Sequence, residues 1–457
     1  MKIIEGLFDH MVLQRNSNNV SDVQFSGECK FSGIVKIKVT KGNNVMKKFN
    51  WIQVGKASSG YFHGCLKGLK VGGPYNITIR IDSNSKHGLE YLTVHDVMVG
   101  DVWILGGQSN MEGIGYLKYA EKPNQNVRAF YMDDKWGIAR DPIHNLCDAV
   151  DQVHIDINGG TRVQRSKYVG VGPGVSFGLE MYHRTKIPQG LISCANGGTS
   201  MSQWSPDLKN LGSGSLYGAM LRRFKKNGSN IAGILWYQGE SDTVPDSVSL
   251  YTSRMKNFVH SIRKDFGKSK LPFIIVQISR TCISEVCTIE GWNSIQEQQR
   301  RLPDIIEKLA VVPTVDLELD DCIHISGFSQ CRLGRRLAQA MFALNNKVDK
   351  LPIVLKEISV VKSPESGTAD VIVIFDNVIG KLKALGRPNG FEIVDKEPIN
   401  CIYRIDLIKN QVILKTNFDV VNILNKSLYY GFGYTPYCNI TDSDDRSLPA
   451  FGPIVIK

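Results

Sequence analysis

The sequence predicts an α/β protein with a doubly wound, parallel-sheet core set between two β-rich regions. Three observations carry this. The chain has 457 residues, more than one compact core usually holds, so two or three domains are expected. Its middle alternates continuous apolar runs with helical stretches, the pattern of strands covered on both faces by helices. Its two ends show only short, alternating segments bounded by turn residues, as half-exposed antiparallel strands do.

The elements follow in chain order. From residue 1 to about 95, "VKIKVTK", "WIQV" and "YNITIRID" alternate with period two, and "KGNN" and "LKVGGP" break them. This region reads as a small β-sandwich-like domain. Residues 96–347 carry the runs "DVMVGDVWIL", "QGLISCA", "IAGILWY", "LPFIIVQIS" and "KLAVVPTVDL". Helical stretches lie among them: "GVSFGLEMYHRT", "SLYGAMLRRFKKN", "SLYTSRMKNFVHSIRKDFG", "GWNSIQEQQRRL" and "GFSQCRLGRRLAQAMFAL". From 352 to 457 short strands return, as in "IVLKEISVV", "ADVIVIFD", "CIYRIDLI" and "QVILKT". A second β-domain is expected there.

Composition narrows the function classes. No apolar run approaches the ~20 residues that span a bilayer. The start, "MKIIEGLFDHMVLQRN", is interrupted by Glu5, Asp9 and His10 and does not read as a signal peptide. A cytoplasmic location is expected, or a secreted or periplasmic one if a leader has been removed. The net charge is +11, but the basic residues fall in short scattered groups: Lys47–Lys48, Arg222–Lys226 and Gly334–Arg336. The last two sit on predicted helices and read as solvated faces rather than a nucleic-acid surface. The ten cysteines form no C-x-x-C pair, and no H-x-H or H-E-x-x-H spacing occurs. No metal site and no cofactor are expected. Cys282/Cys287 and Cys322/Cys331 are close enough to pair under oxidising conditions, but reduced thiols are the expectation. Nothing in the sequence bears on oligomeric state.

Parallel strands end at one edge of a sheet, and ligands bind there. After "VWIL" comes "GGQSN", after "LISCA" comes "NGGTS", and after "ILWY" comes "QGESD". Arg280 follows "IIVQIS", and "DDCIH" follows the last run. Each piece alone has an ordinary explanation: Ser109 as a helix N-cap, Gly197–Gly198 as a turn, Asp321 and His324 as loop groups. Together they make chemical sense. A serine hydroxyl needs a base, and His324 is the natural one. Asp321, three residues earlier, can hold the imidazole. Glu240 is a second carboxylate able to do so. The N–H of Ser109, the N–H of Gly198 (or Gly197) and the amide of Gln238 are candidate donors to a developing oxyanion. This is an acyl-transfer constellation.

The blocks Gly107-Gln108-Ser109-Asn110, Gly197-Gly198, Gln238-Gly239-Glu240-Ser241-Asp242 and Asp321-Cys322-Ile323-His324 resemble, in this order, those of the SGNH-type carbohydrate esterases. Within that group the chain is most similar to the sialate O-acetylesterases. "WYQGESD" and "GGTSMSQWSP" look like longer signatures of the family. "DHMVLQR" near the start and "GFGYTPYCNITDSDDRSLPAFGPIVI" at the end resemble the termini of its bacterial members. Two positions depart from the pattern. Ile325 stands where the family often has proline, and Ser202-Gln203 precede Trp204 in place of an acidic residue. The resemblance implies a flavodoxin-like SGNH-hydrolase core and a metal-independent esterase. It implies Ser109, His324 and Asp321 as the triad, and an acetylated carbohydrate, above all O-acetylated sialic acid, as substrate. Acetylated xylan or another glycan is the alternative, and a non-catalytic carbohydrate-binding protein the more remote one. Sialic acid carries a carboxylate, which an arginine fork matches. Arg280 is the candidate for it, the plain alternative being a local salt bridge.

Overall fold

The computed structural model describes residues 1–83, 89–162, 166–283, 287–346 and 350–457. One 19-residue strand, Leu89–Gly107, organises it. Its first part pairs antiparallel with Gly72–Ser83. Its last part pairs parallel with Gln189–Ser193 on one side and Gly233–Tyr237 on the other. The side chains account for this double use. The first half is partly exposed, whereas every residue from Val97 to Gly107 is buried, as a strand covered on both faces requires. Asp96 lies at the change with φ +56°, and its carboxylate meets His10 and Arg128 at 2.8 and 2.9 Å. The expected boundary at residues 95 and 96 therefore falls inside a continuous strand.

Upstream of this strand lies an antiparallel sheet in the order Val20–Glu28, Tyr61–Lys70, Asn44–Ser58, Gly33–Lys41, Gly72–Ser83. Val35, Ile37, Val39, Ile77, Ile79 and Ile81 point into the core at every second position. Hydrogen bonding continues without a break into the central sheet.

The centre holds six parallel strands in the order Val127–Phe130, Gln189–Ser193, Leu89–Gly107, Gly233–Tyr237, Phe273–Val276, Leu309–Val312. Five match apolar runs. Val127–Phe130 and its antiparallel neighbour Trp136–Ile138 were not expected, because Arg128 interrupts so short a run; its charge is buried against Asp96. Helices Gly174–Thr185, Leu216–Lys226, Tyr251–Asp265, Ile289–Ile305 and Gly327–Asn346 fall on the expected stretches. Ser215 and Thr288 cap two of them by accepting from Gly218 N at 3.1 Å and Gly291 N at 2.9 Å.

The C-terminal region holds two four-stranded antiparallel sheets and a short two-stranded ladder, Lys383–Ala384 with Ile440–Thr441, around a shared core that includes Val371, Val373, Phe375, Ile393, Leu428 and Phe451. It docks through Gln277, just beyond the strand Phe273–Val276. The Gln277 amide donates to the Ala450 carbonyl at 2.8 Å and accepts from the Ala450 N–H at 2.9 Å. The expected end of the central domain, residue 347, lies outside the described residues. Among those described, no helix is long and apolar enough to cross a membrane.

One sequence expectation needs correction. Within the basic groups on the helices, Lys225 and Arg335 are exposed, but Arg222, Arg223 and Arg336 are not solvated charges. Arg223 is fully buried and donates to Asp134 at 2.7 Å and to the carbonyls of Phe130, Tyr131 and Ser193. Arg222 grips Asp134 and Asp151, and Arg336 is buried on Asp316. Burial opposes the charge of Asp134, yet Arg222 and Arg223 hold its carboxyl below the usual range. For the sequence-near cysteines reduced thiols are the expectation, and all ten thiols are free; Cys287 and Cys331 are buried while Cys282 and Cys322 are exposed. Cys282 neighbours Cys322, its N–H donating to the Cys322 carbonyl at 2.7 Å.

Arg223→Met keeps most of the volume but takes one charged partner from the largely buried Asp134 carboxylate and one hydrogen bond from each of three carbonyls. Breaking such a pair costs about 3–5 kcal/mol. A clear fall in the urea midpoint is expected; an unchanged midpoint would show that the network contributes nothing to stability.

Candidate active site

The sheet brings the strand ends together through backbone bonds. Gln108 N donates to the Tyr237 carbonyl at 2.8 Å, and Asn196 N donates to that of Gly107 at 3.0 Å. The turn after the long strand is tight because Gly107, at φ +128°, lies against the neighbouring strand. A Cβ there would come within 2.0 Å of the Tyr237 oxygen, so only glycine fits. The chain then enters a single helical turn, Ser109–Glu112. Ser109 stands at its first position and caps nothing; the residue before the helix, Gln108, makes no side-chain cap bond either.

The Ser109 hydroxyl faces His324, with Oγ 2.9 Å from Nε2. On the other side of the ring, Nδ1 lies 2.6 Å from Asp321 Oδ2. Asp321 Oδ1 accepts from the N–H groups of Ile323 and His324 at 2.8 and 2.7 Å. Partial burial works against the Asp321 charge, but these two donors and the imidazole hold its carboxyl below the ordinary value. The result is an unbroken line from carboxylate to imidazole to hydroxyl. Such a line can draw a proton from the hydroxyl and stabilise the imidazolium that forms.

Glu240 takes a different place. It is buried, and its Oε1 accepts from the Asn110 amide at 2.9 Å. Burial pushes its carboxyl above the ordinary value, opposed by the Asn110 bond. Asn110 also spans the histidine loop: its Nδ2 reaches the Ile323 carbonyl at 3.4 Å, and its Oδ1 accepts from Ile325 N at 2.9 Å. The residues on both sides of His324 are thus fastened to the residue that follows Ser109. Gln330 adds a bond to the Asn110 carbonyl at 3.0 Å. Nothing in the sequence marked Asn110 beyond its place in the block.

Two expected oxyanion donors are engaged elsewhere. Gln238 is fully buried, and its amide donates to Asp242 at 2.6 Å and to the Thr199 carbonyl at 3.1 Å. Asp242 is itself buried and needs these donors, among them Met201 N at 2.8 Å. The Gly197 N–H donates to Glu112 at 2.7 Å. The Ser109 and Gly198 N–H groups meet no acceptor among the described residues, and Gly198 is exposed at φ +66°. Arg280 lies half-buried with Glu318 3.9 Å away, a long ion pair. A cleft of about 290 Å³ is lined by Glu112, Ile114, Leu146, Cys147, Asn158, Val169, Asn196 and Gly197. It adjoins the serine, since a Cβ on Gly197 would lie 3.3 Å from that of Ser109.

A family model described as carbohydrate esterase, sialic acid-specific acetylesterase, matches residues 99–343, more than half of the chain. The chain belongs to this family. It is therefore a carboxylic ester hydrolase of the carbohydrate esterase kind. It is 30% identical over 267 residues to a probable carbohydrate esterase of Arabidopsis thaliana, covering 52% of this chain and 89% of that protein. It is 26% identical over 288 residues to the human sialate O-acetylesterase, covering 56% of this chain and 53% of that one. The match thus spans about half the length of the human relative. A carbohydrate acetylesterase from Xanthomonas citri shares the fold, with a TM-score of 0.70 and 20% identity over 98% of each chain. That likeness includes both β-rich ends as well as the esterase core.

Asn110→Ala removes the clasp on both sides of His324 without touching Ser109, His324 or Asp321. Misplacing a reacting group by about 1 Å costs on the order of 100-fold in rate. A loss of ~10- to 100-fold in kcat for acetyl-ester hydrolysis is expected, and activity at the wild-type level would show that the loop holds itself.

Proposed function

We propose that the chain is a serine esterase that removes O-acetyl groups from carbohydrates, with O-acetylated sialic acid as its substrate. Ser109 is the nucleophile, His324 the general base and acid, and Asp321 the carboxylate that fixes the imidazole. The observation that supports this reading is the unbroken hydrogen-bonded line from Asp321 through His324 to Ser109. The block order on a sheet with all six central strands parallel supports the SGNH-type assignment of the core. The same reading keeps three functional units, residues 1–95, 96–347 and 352–457, the middle one catalytic.

The reaction follows from the geometry. His324 Nε2 takes the hydroxyl proton as Ser109 Oγ attacks the acetyl carbonyl. The oxyanion gathers at the open N–H groups of Ser109 and Gly198. As the tetrahedral species collapses, the C–O bond to the sugar breaks. His324 passes its proton to the departing sugar oxygen, leaving an acetyl-serine. Water, deprotonated by the same imidazole, then releases acetate and restores the hydroxyl. The adjoining cleft is at the small end of the range for ligand pockets, which suits an acetyl group and part of one sugar ring.

Ser109→Ala tests the nucleophile. Acetyl-ester hydrolysis should fall to background with little change in thermal unfolding, and near-wild-type hydrolysis would sink the reading.

Substrate identity turns on Arg280. Among the described residues its ion-pair partner, Glu318, is exposed and at the limit of an ion pair, so a substrate carboxylate can compete for the guanidinium. One charge-assisted contact is worth ~1.5–3 kcal/mol, so Arg280→Met should raise KM for O-acetylated sialic acid at least ~10-fold. An acetylated neutral sugar, such as acetyl-xylose, should be almost unaffected; equal loss on both substrates would point to a structural role for Arg280, and no loss on either would place it outside the sugar site.

A further inference from the structure

We propose that exposed aromatic rings beside the cleft form a second sugar subsite, so that the protein acts on acetyl groups carried by oligosaccharide chains rather than by free monosaccharides. The proposal rests on the esterase reading above and concerns what lies next to the acetylated residue.

Tyr116, Tyr119, Phe328 and Tyr168 are 39%, 41%, 55% and 66% exposed. Single exposed rings are ordinary on a protein surface; four gathered from three separate segments mark a binding surface. Local structure does the gathering. Tyr116 pairs with Val169 in a two-stranded ladder, and Leu117 N donates to the Tyr168 carbonyl at 2.8 Å. The Tyr119 and Phe328 rings meet edge to face with centroids 6.2 Å apart. Gly327 has no room for a side chain, because a Cβ would lie 2.6 Å from the Tyr116 oxygen. This close contact sets Phe328 beside Tyr116. The backbone carrying the rings is thus tied down before any ligand arrives, which lowers the entropy lost on binding.

The surface is continuous with the site. Val169, the ladder partner of Tyr116, lines the cleft. The Asp320 carboxylate accepts from Tyr116 N at 2.9 Å and from Gly327 N at 2.8 Å. Asp320 N in turn donates to the His324 carbonyl at 2.9 Å. One residue therefore joins the aromatic surface to the histidine loop.

Its chemistry selects a sugar. A pyranose presents weakly positive C–H groups on its face and hydroxyls at its rim. The former suit the negative face of an aromatic ring, the latter the tyrosine hydroxyls. Lys118 holds its ammonium 4.8 Å from the Tyr119 ring centre and 5.6 Å from that of Tyr116. Its nearest acidic residue in sequence, Glu121, is taken by Arg335 at 3.0 Å. A polar, charged platform of this kind differs from the dry apolar centre of a contact between two copies of a chain.

The test compares the same O-acetylated sugar alone and at the end of a trisaccharide. For the wild type, kcat/KM should rise at least ~10-fold from the first to the second. The double variant Tyr119→Ala/Phe328→Ala should lose the rise, and Phe328→Tyr, which keeps the ring, should retain it. Equal efficiency on both substrates, or a rise that survives the double substitution, overturns the proposal. So does a double variant that changes the sedimentation coefficient and leaves the rise intact, since the rings would then be a contact between copies. Saturation-transfer NMR on Ser109→Ala with the intact trisaccharide supplies a reading free of catalysis. Transfer to the non-acetylated residues, lost in the double variant, is expected. If the wild type hydrolyses no acetyl ester, the esterase reading fails, and this binding measurement alone decides the platform.

Discussion

The Gly107 backbone approaches Tyr237 so closely that no side chain fits between them, and the placement of the serine follows from that contact. The long strand cannot continue past its neighbour. It must turn at Gln108 and deliver Ser109 at the first position of a helical turn. Gln108 then accepts from Gly239 N and Ser241 N at 3.3 and 3.4 Å, which sets the next strand end against the same turn. The histidine loop arrives last, clasped at Ile323 and Ile325 by Asn110. Each step uses backbone groups or short amides, which tolerate little displacement. A hydroxyl on such a turn is held by the sheet rather than by its own rotamer freedom.

Two clusters of arginines hold loops and the C-terminal region to the core. Arg223 and Arg222 converge on Asp134 in the turn that follows the strand Val127–Phe130. Arg336 and Arg332 reach from the last helix of the core to Asp445 in the C-terminal region. Buried ion pairs are not a cheap source of stability, because desolvation offsets the attraction. They do fix geometry, since a buried guanidinium with four or five acceptors has one arrangement that satisfies them. The two clusters therefore specify how the edge strand and the C-terminal sheets seat on the core. A surface of loose lysines could not do this.

The parts of this structure legible in the sequence are those governed by local pattern. The five apolar runs, the five helices and the residues at the strand ends could be read because burial on both faces leaves an unbroken signal. Tertiary compensation hid the rest. Val127–Phe130 contains an arginine that only a distant aspartate makes acceptable. Arg223 and Arg336 looked solvent-facing because their acceptors come from other segments. Gln238 sits in the block and at the strand end, yet its amide is claimed by Asp242, four residues on. A motif records which residues gather at an edge; it does not record which hydrogen bonds they have left. Asn110 shows the converse, with its bonds to Ile323 and Ile325 invisible from its position beside the serine.

The two carboxylates near His324 show how environment divides similar groups. Asp321 lies on the outer side, 43% exposed, with two backbone N–H donors and the imidazole favouring its charge. It can stay ionised while the imidazole gains and loses a proton, as a group that stabilises the imidazolium must. Glu240 is buried and has one side-chain donor, Asn110; its other oxygen meets no hydrogen-bond partner among the described residues. Burial penalises its charge, and no bond links it to the ring. Its bond to Asn110 instead holds the amide that clasps the histidine loop. One carboxylate is thus suited to respond to the proton's movement and the other to keep the frame in which it moves. The D-x-x-H spacing made the first assignment possible, and the depth of the strand end determines the second.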